Sequence, residues 1–216
     1  MRKGFLALLF SAASAAAWAQ GGDVGLVNLV SGGVTYAPRS GTAGEAVPFM
    51  RVRDGDQFTV AAGGQVRIVY FTSSRQEGWS GPSSFRAGKG AGEAISGKAA
   101  EVTALPAGVP QRIARVPDLL QNAKLGGIQV RGGLTRRQEA SLDQQATVRE
   151  AREIYERMRK DMPADDITSE LYLYAVLHDY LLYEDMKIVI EEMLRKQPGN
   201  EDLKALADWV RTRASR

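Results

Sequence analysis

The residues that could carry out acid–base chemistry are few in this chain. His178 is its one histidine and so the one imidazole that could act as a general base. Its neighbour Asp179 cannot orient it directly, because adjacent residues of a helix point in different directions. The carboxylate pairs Asp165-Asp166, Glu184-Asp185 and Glu191-Glu192 are of the kind that glycosidases use, but they fall at predicted helix ends or exposed faces. We therefore predict no catalytic residue and expect a protein that is not an enzyme.

The composition excludes several other chemistries. The 216 residues include no cysteine, which rules out disulfides, a thiolate nucleophile and Cys-ligated metal, and a single histidine rules out a multi-His site. The run Gly88-Lys89-Gly90-Ala91-Gly92 lacks the spacing of a phosphate-binding loop and is interpreted as a flexible loop. The net charge of +3 gives no dense basic face, so no nucleic acid partner is expected. We predict no metal and no cofactor.

Aromatic and basic side chains are the remaining candidates for binding. Trp79 lies in the run Glu77-Gly78-Trp79-Ser80-Gly81-Pro82, which is interpreted as a glycine-flanked loop. There the indole could stack on a sugar or anchor a partner, or it could fold back to cap a small β core, which is the simpler interpretation. Arg75, Tyr172 and Tyr180 complete the set of candidate binding residues.

The first residues have the pattern of an export signal. Arg2 and Lys3 precede a short apolar stretch, which is followed by small residues ending at Ala19. The apolar stretch is shorter than the roughly 20 residues that cross a bilayer, and small residues suit a signal peptidase. We expect residues 1–19 to be cleaved, no membrane span to remain in the mature chain, and a periplasmic location. A retained N-terminal anchor is the alternative.

Glycine is concentrated in the first part of the chain. All 23 glycines except Gly4 and Gly199 lie between Gly21 and Gly133, where short β-prone runs alternate with turn-forming residues. The predicted strands are residues 24–30, 33–37, 57–61, 65–72 and 83–87, with glycine turns at residues 31–33, 54–56 and 62–64. Both faces of residues 65–71 are largely apolar, which predicts a central strand covered on both sides. A small antiparallel sandwich or barrel is the expected fold.

These strands carry a family resemblance. Residues 25–34 (GLVNLVSGGV), 52–60 (VRDGDQFTV), 62–71 (AGGQVRIVYF) and 81–85 (GPSSF) together resemble a FecR-type domain, over about residues 22–88. The family usually has an Asp-Gly-Ser turn after the apolar strand, where this chain has a longer polar connection at residues 72–78. The resemblance implies an extracytoplasmic β module that binds another envelope component. Founding regulators of this type relay a transport signal through a membrane-spanning helix, and no internal span is found in this sequence.

The second part of the chain has helical periodicity. A first helix is predicted at about residues 138–160, and a second at residues 166–183, whose stretch 171–177 is apolar all round and must be covered on two sides. A third helix is predicted at about residues 185–196, and Asn200 is expected to cap a fourth. A short helix with Pro117 near its first position should precede this part, stopped by Gly126-Gly127 and followed by an edge strand at residues 128–130.

The helices carry a second resemblance. Pro163 and Pro198 lie 35 residues apart, close to the 34-residue period of tetratricopeptide repeats. Ala151, Tyr155 and Met158 are similar to the second-helix positions of such a repeat, whereas Tyr174 and Met186 in the next unit replace small residues. The resemblance implies a divergent helical array of about four helices with a groove.

These observations predict two domains: an all-β FecR-like domain at residues 20–130, a linker at residues 131–137, and an all-α TPR-like domain at residues 138–216. We expect a non-enzymatic binding or scaffolding protein of the cell envelope that recognises an envelope protein or cell-wall component through both domains. A periplasmic sensor or accessory regulator is the alternative, and a cell-wall hydrolase is the third class considered.

Overall fold

The computed structural model describes residues 22–125 and 141–215. Within these ranges a β region precedes a helical region. The strands are β1 (Asp23–Ser31), β2 (Val34–Ala37), β3 (Gly44–Glu45), β4 (Arg51–Arg53), β5 (Gln57–Val60), β6 (Gln65–Tyr70), β7 (Arg75–Ser80), β8 (Ser83–Ala87), β9 (Gly92–Gly97) and β10 (Glu101–Ala104). The helices are α1 (Val109–Ile113), α2 (Val116–Lys124), α3 (Leu142–Asp161), α4 (Thr168–Asp179), α5 (Tyr183–Lys196) and α6 (Glu201–Ala214). The predicted order of β region and then helices is confirmed.

The strands form two antiparallel sheets. The first sheet has the order β10-β7-β6-β1-β4 and the second has the order β3-β2-β5-β8-β9. Tight turns at the predicted glycines join consecutive strands that lie in different sheets: β1 to β2, β4 to β5 and β5 to β6. Gly32, Gly55 and Gly63 all have positive φ, between 67° and 93°. The two sheets enclose one apolar cluster with residues from both, so the predicted sandwich is present.

Aromatic rings form the centre of the sandwich. Trp79 of the first sheet stacks on Phe85 of the second with ring centroids 4.1 Å apart, and Phe85 stacks on Phe58 at 5.1 Å. All three side chains are at most 2% exposed. Offset or parallel contacts between large rings bury much apolar area, so this stack fixes the distance between the sheets.

Strand β6 is covered on both faces, as its sequence predicts. Val66, Ile68 and Tyr70 point into the sandwich, while Val69 belongs to a second apolar cluster that it shares with the helices. Leu26 of β1 lies beside Val69 in register and belongs to the same cluster. The helices therefore form a third layer on the outer face of the first sheet.

Helix α4 is the centre of the helical layer. Its residues from Thr168 to Leu177 are all buried, because α1, α3 and α5 pack around it. The prediction that this apolar helix is covered on two sides is confirmed. Asn200 caps α6 as predicted, since its Oδ1 accepts hydrogen bonds from the amide groups of Asp202 and Leu203.

A buried polar joint connects the sandwich to α4; it consists of Asn28, Gln76, Asp166 and Thr168. Gln76 Oε1 accepts hydrogen bonds from Asn28 Nδ2 at 3.0 Å and from Thr168 Oγ1 at 2.5 Å. Gln76 Nε2 donates to Asp166 Oδ2, and Asp166 Oδ1 accepts from the Thr168 amide at 2.8 Å. The four residues are at most 3% exposed, so these bonds take the place of most of the hydrogen bonds to water that burial removes.

Two further contacts flank the polar joint. Arg67 Nη2 donates to Asp165 Oδ1 at 2.9 Å, and Gln197 Nε2 donates to the carbonyl oxygen of Asn28 at 3.2 Å. The helices are thereby attached to the sheet by both apolar and directional contacts.

One prediction about the β region is wrong. Residues 75–80 form β7, which pairs with β6 and β10, whereas the sequence predicts a polar connection at residues 72–78 and a glycine-flanked loop around Trp79. Polar side chains in β7 have hydrogen-bond partners: Glu77, 1% exposed, accepts hydrogen bonds from the Gly92 amide of β9 and from Trp79 Nε1 of its own strand. The predicted glycine loop at residues 88–92 is a turn that ends in β9.

Several predictions fall outside the described residues: the signal at residues 1–19, the helix stop at Gly126-Gly127, the edge strand at residues 128–130 and the linker at residues 131–137. None of the helices within residues 22–125 and 141–215 has the length and apolar character needed to span a membrane.

Candidate functional site

A groove of about 510 Å³ lies between α3 and α5, and we call it the α3–α5 groove. Both helices pack against α4, which brings Leu173, 2% exposed, to the floor. Tyr155 of α3 and Val189 of α5 are buried in the walls. Ile188 also lines the groove, and its side chain is 65% exposed. The groove therefore presents an apolar strip in which Ile188 is open to solvent.

Ion pairs join the two walls of the groove. Arg152 Nη2 of α3 lies 2.7 Å from Asp185 Oδ1 of α5, and Arg159 Nη2 lies 3.1 Å from Glu192 Oε1. Glu192 also accepts hydrogen bonds from Arg195, and these bonds are the main reason that its pKa is lowered. The charges on both walls are thus held in place before any ligand binds.

Tyr155 connects the groove to a buried charge beneath it. Its hydroxyl donates to Glu170 Oε1 at 3.4 Å, and the Arg159 guanidinium lies over its ring, 5.4 Å from the centroid. Burial and, next, the Glu170 carboxylate raise the pKa of Tyr155 to about 12. Tyr155 is therefore neutral at physiological pH and acts in the groove as an apolar ring with a fixed orientation.

The buried charge is an ion pair. Glu170 is fully buried, and Lys196 Nζ lies 3.0 Å from each of its carboxylate oxygens. Lys196 also donates to the carbonyl oxygen of Asp166 at 2.8 Å, and Ser169 Oγ donates to Glu170 Oε2 at 3.0 Å. The pair joins the end of α5 to the start of α4 and so fixes the depth of the groove.

The arrangement suits binding more than bond breaking. An apolar strip between fixed charges can accept one large apolar side chain of a partner and hydrogen-bond the polar groups on each side of it. Across the ranges that the structure describes, no group of three or more His, Asp or Glu side chains could hold a metal ion.

His178 lies in a different environment from the groove. Its ring stacks on Trp209 of α6 with centroids 5.9 Å apart, and burial is the main cause that lowers its pKa. Asp179 pairs with Arg112 and with Arg115, at 2.6 Å for the latter, and so attaches α4 to the two short helices. Neither residue of this dipeptide faces the other in an acid–base pair.

The structure does not bring the four predicted binding residues together. Trp79 is 2% exposed in the sandwich core, so the structure agrees with the simpler of the two interpretations, in which the ring folds back onto the β core, and not with a stacking platform. Arg75, at the start of the same strand, pairs with Glu77 at 2.8 Å. Tyr172 is 7% exposed on α4, and Tyr180 is half-buried at its end. None of these four side chains lines the α3–α5 groove.

The sequence draws attention to Tyr155, Asp185, Glu191 and Glu192 for other reasons, and it does not single out Ile188. Ile188 lies within a helix whose other apolar residues form the buried face, and its exposure marks it as an exception to that periodicity. The spacing of Met186, Val189, Ile190 and Met193 assigns the buried face, and Ile188 falls outside it. An isoleucine outside the buried face of its helix was therefore the feature of the sequence that could have pointed to the groove.

Comparison of this chain with protein-family models, curated proteins and solved structures finds no match. The FecR and TPR resemblances therefore rest on the residues that carry them in the sequence.

Proposed function

We propose that this protein is a non-enzymatic binding or scaffolding module of the cell envelope that holds a segment of a partner protein in the α3–α5 groove. The envelope location rests on the predicted export signal and on the FecR resemblance. A β domain joined to a TPR-like helical array is the corresponding interpretation of the architecture.

The exposed Ile188, which lies on α5 between the ion-paired Asp185 and Glu192, is the observation that carries this proposal. Covering an isoleucine that is 65% exposed lowers the free energy of the complex by about 25 cal/mol per Å² of apolar area. The ion pairs Arg152–Asp185 and Arg159–Glu192 flank it and supply charged groups of both signs. The expected partner segment is amphipathic, with one large apolar residue between polar or charged residues.

Site-specific crosslinking tests the proposal. A photoreactive benzoylphenylalanine is placed at Ile188 of the full chain, and crosslinking is carried out in intact cells that express the protein. The matched control carries the same group at Leu142, which is 83% exposed at the start of α3 and does not line the groove. We expect one protein to be captured from position 188 and not from position 142.

A substitution then connects the crosslink to binding. Ile188→Asp should abolish capture of that protein from envelope extract by the full-length chain, while Leu142→Asp should leave it unchanged. The same products at both positions, or capture that survives Ile188→Asp, would refute the groove as the binding site.

A further inference from the structure

A depression of about 540 Å³ opens on the outer face of the second sheet, on the side away from the helices. Its floor follows one row of the sheet, in which Ala37 of β2, Gln57 of β5 and Arg86 of β8 are paired in register. Arg39 and Gly55, from the connections that follow β2 and β4, close its end. The volume lies in the range typical of small-molecule sites.

The two arginines of this depression differ from the other arginines of the β region. Each of the others has a carboxylate partner: Arg51, Arg53, Arg67 and Arg75. Among the residues that the structure describes, the guanidinium groups of Arg39 and Arg86 have neither an ion pair nor a hydrogen bond. Glu93 is paired in register with Arg86 on β9, and the two side chains still form no ion pair. The two arginines of the β region that lack a carboxylate partner therefore line the same depression.

The position of Arg39 is set by a glycine. A Cβ atom on Gly55 would lie 3.1 Å from Arg39 Cδ, so the aliphatic part of Arg39 packs against the bare backbone there. Gly55 has a φ of 93°, a conformation that glycine adopts without strain. The loop is held by Asp56, 1% exposed, which accepts hydrogen bonds from the amide groups of Arg39 and Arg53. The guanidinium of Arg39 is therefore directed by its local packing.

The other polar groups of the depression define the rest of the ligand. Gln57 offers an amide that can both donate and accept, and the Asp54 carboxylate can accept only. Hydroxyl groups of a ligand can donate to the half-buried Asp54 carboxylate, which a bare anion cannot do. We propose that this depression binds a small hydroxylated anion, a sugar acid or a sugar phosphate, with Arg39 and Arg86 holding the charged group.

Arginine-detected NMR on the full chain tests this site. The Nε–Hε signals of labelled arginines are followed during titration with glucuronate, glucose 6-phosphate, glucose and inorganic phosphate. We expect the Arg39 and Arg86 signals to shift and saturate with at least one sugar anion, and the one that binds identifies the charged group. Glucose should give no shift.

Substitutions give the quantitative result. Arg39→Gln and Arg86→Gln should each raise Kd about tenfold or more, because each removes a charge-assisted contact. Arg149→Gln, which alters an exposed arginine of α3 that has no ion pair among the described residues, should leave Kd within about twofold. The substituted side chains are exposed, and an unchanged amide spectrum of the helices will show that the fold is intact.

Two outcomes would overturn the proposal: shifts that are equal at Arg149 and at the two arginines of the depression, or inorganic phosphate that binds as tightly as the sugar anions. Neither outcome would bear on the proposal for the α3–α5 groove, because that groove lies on the helical layer.

Discussion

Replacing Lys196 with methionine leaves the Glu170 carboxylate buried without its ammonium partner. Glu170 is fully buried and the Lys196 side chain is 7% exposed, so neither group can recover its hydration without moving. Removal of one member of a buried ion pair typically lowers the free energy of unfolding by about 3–5 kcal/mol. The hydrogen bond from Lys196 to the Asp166 carbonyl oxygen is removed as well, which adds about 1 kcal/mol.

Other donors offset part of this loss. Arg159 Nε lies 3.7 Å from Glu170 Oε1, and the hydroxyls of Tyr155 and Ser169 donate to the same carboxylate. We therefore expect Lys196→Met to lower the free energy of unfolding by about 3 kcal/mol, the low end of the range for buried pairs. With a urea m-value of about 2–3 kcal/mol/M, the midpoint of unfolding falls by roughly 1 M or slightly more.

Equilibrium urea unfolding, followed by far-UV circular dichroism, measures this effect. The matched control is Lys204→Met, which breaks the exposed pair with Glu201 and should change the free energy of unfolding by less than about 0.5 kcal/mol. The double substitution Glu170→Leu with Lys196→Met should recover much of the loss, because no unpaired charge remains buried. A loss below about 1 kcal/mol in Lys196→Met, or a double variant no more stable than the single one, would falsify the assignment of a buried, coupled pair.

Three further outcomes follow from the same structure. Trp79→Ala should lower the free energy of unfolding by about 3–5 kcal/mol in urea denaturation, since the ring fills the sandwich core, and should leave binding at the α3–α5 groove intact in the refolded fraction. Burial lowers the pKa of His178, so the stabilisation from its neutral form is full above the ordinary pKa of 6.5 and is lost as the pH falls below that value. His178→Gln should therefore weaken the pH dependence of the free energy of unfolding between pH 7.5 and pH 5. A pH profile that His178→Gln leaves unchanged would contradict this prediction. Tyr155→Phe should remove a tyrosinate absorbance transition near pH 12, whereas loss of a transition near pH 10 would show that the ring is solvated.

Much of the fold follows from local sequence pattern. The two apolar faces of residues 65–71 predict a covered central strand, and the run at residues 171–177 predicts a covered helix; both elements are buried on two sides. Glycine turns at Gly32, Gly55 and Gly63 follow from the demand for positive φ. Each of these features depends on residues that are close together in the chain, so the local sequence pattern is enough to predict it.

Strand β7 could not be predicted because its polar residues are satisfied by distant groups. The side-chain oxygen of Gln76 accepts hydrogen bonds from Asn28 and Thr168, which lie 48 and 92 residues away in the sequence. Without these contacts the sequence Arg75-Gln76-Glu77-Gly78 has the composition of a turn. The same reason applies to the α3–α5 groove, whose walls are adjacent only because both helices pack on α4.

The hydrogen bond between Gln197 and the carbonyl oxygen of Asn28 closes a loop of 169 residues, and it also has a consequence for the order of folding. A chain made from its N-terminus can pair β1 with β6 early, but the contacts between the outer face of that sheet and the helices form only after the helices have emerged. Closing such long loops is slow, because the loss of chain entropy precedes the contacts that compensate for it. Apolar Leu26 and Val69 thus stay open to solvent until helices cover them, and in that interval they can bind a chaperone.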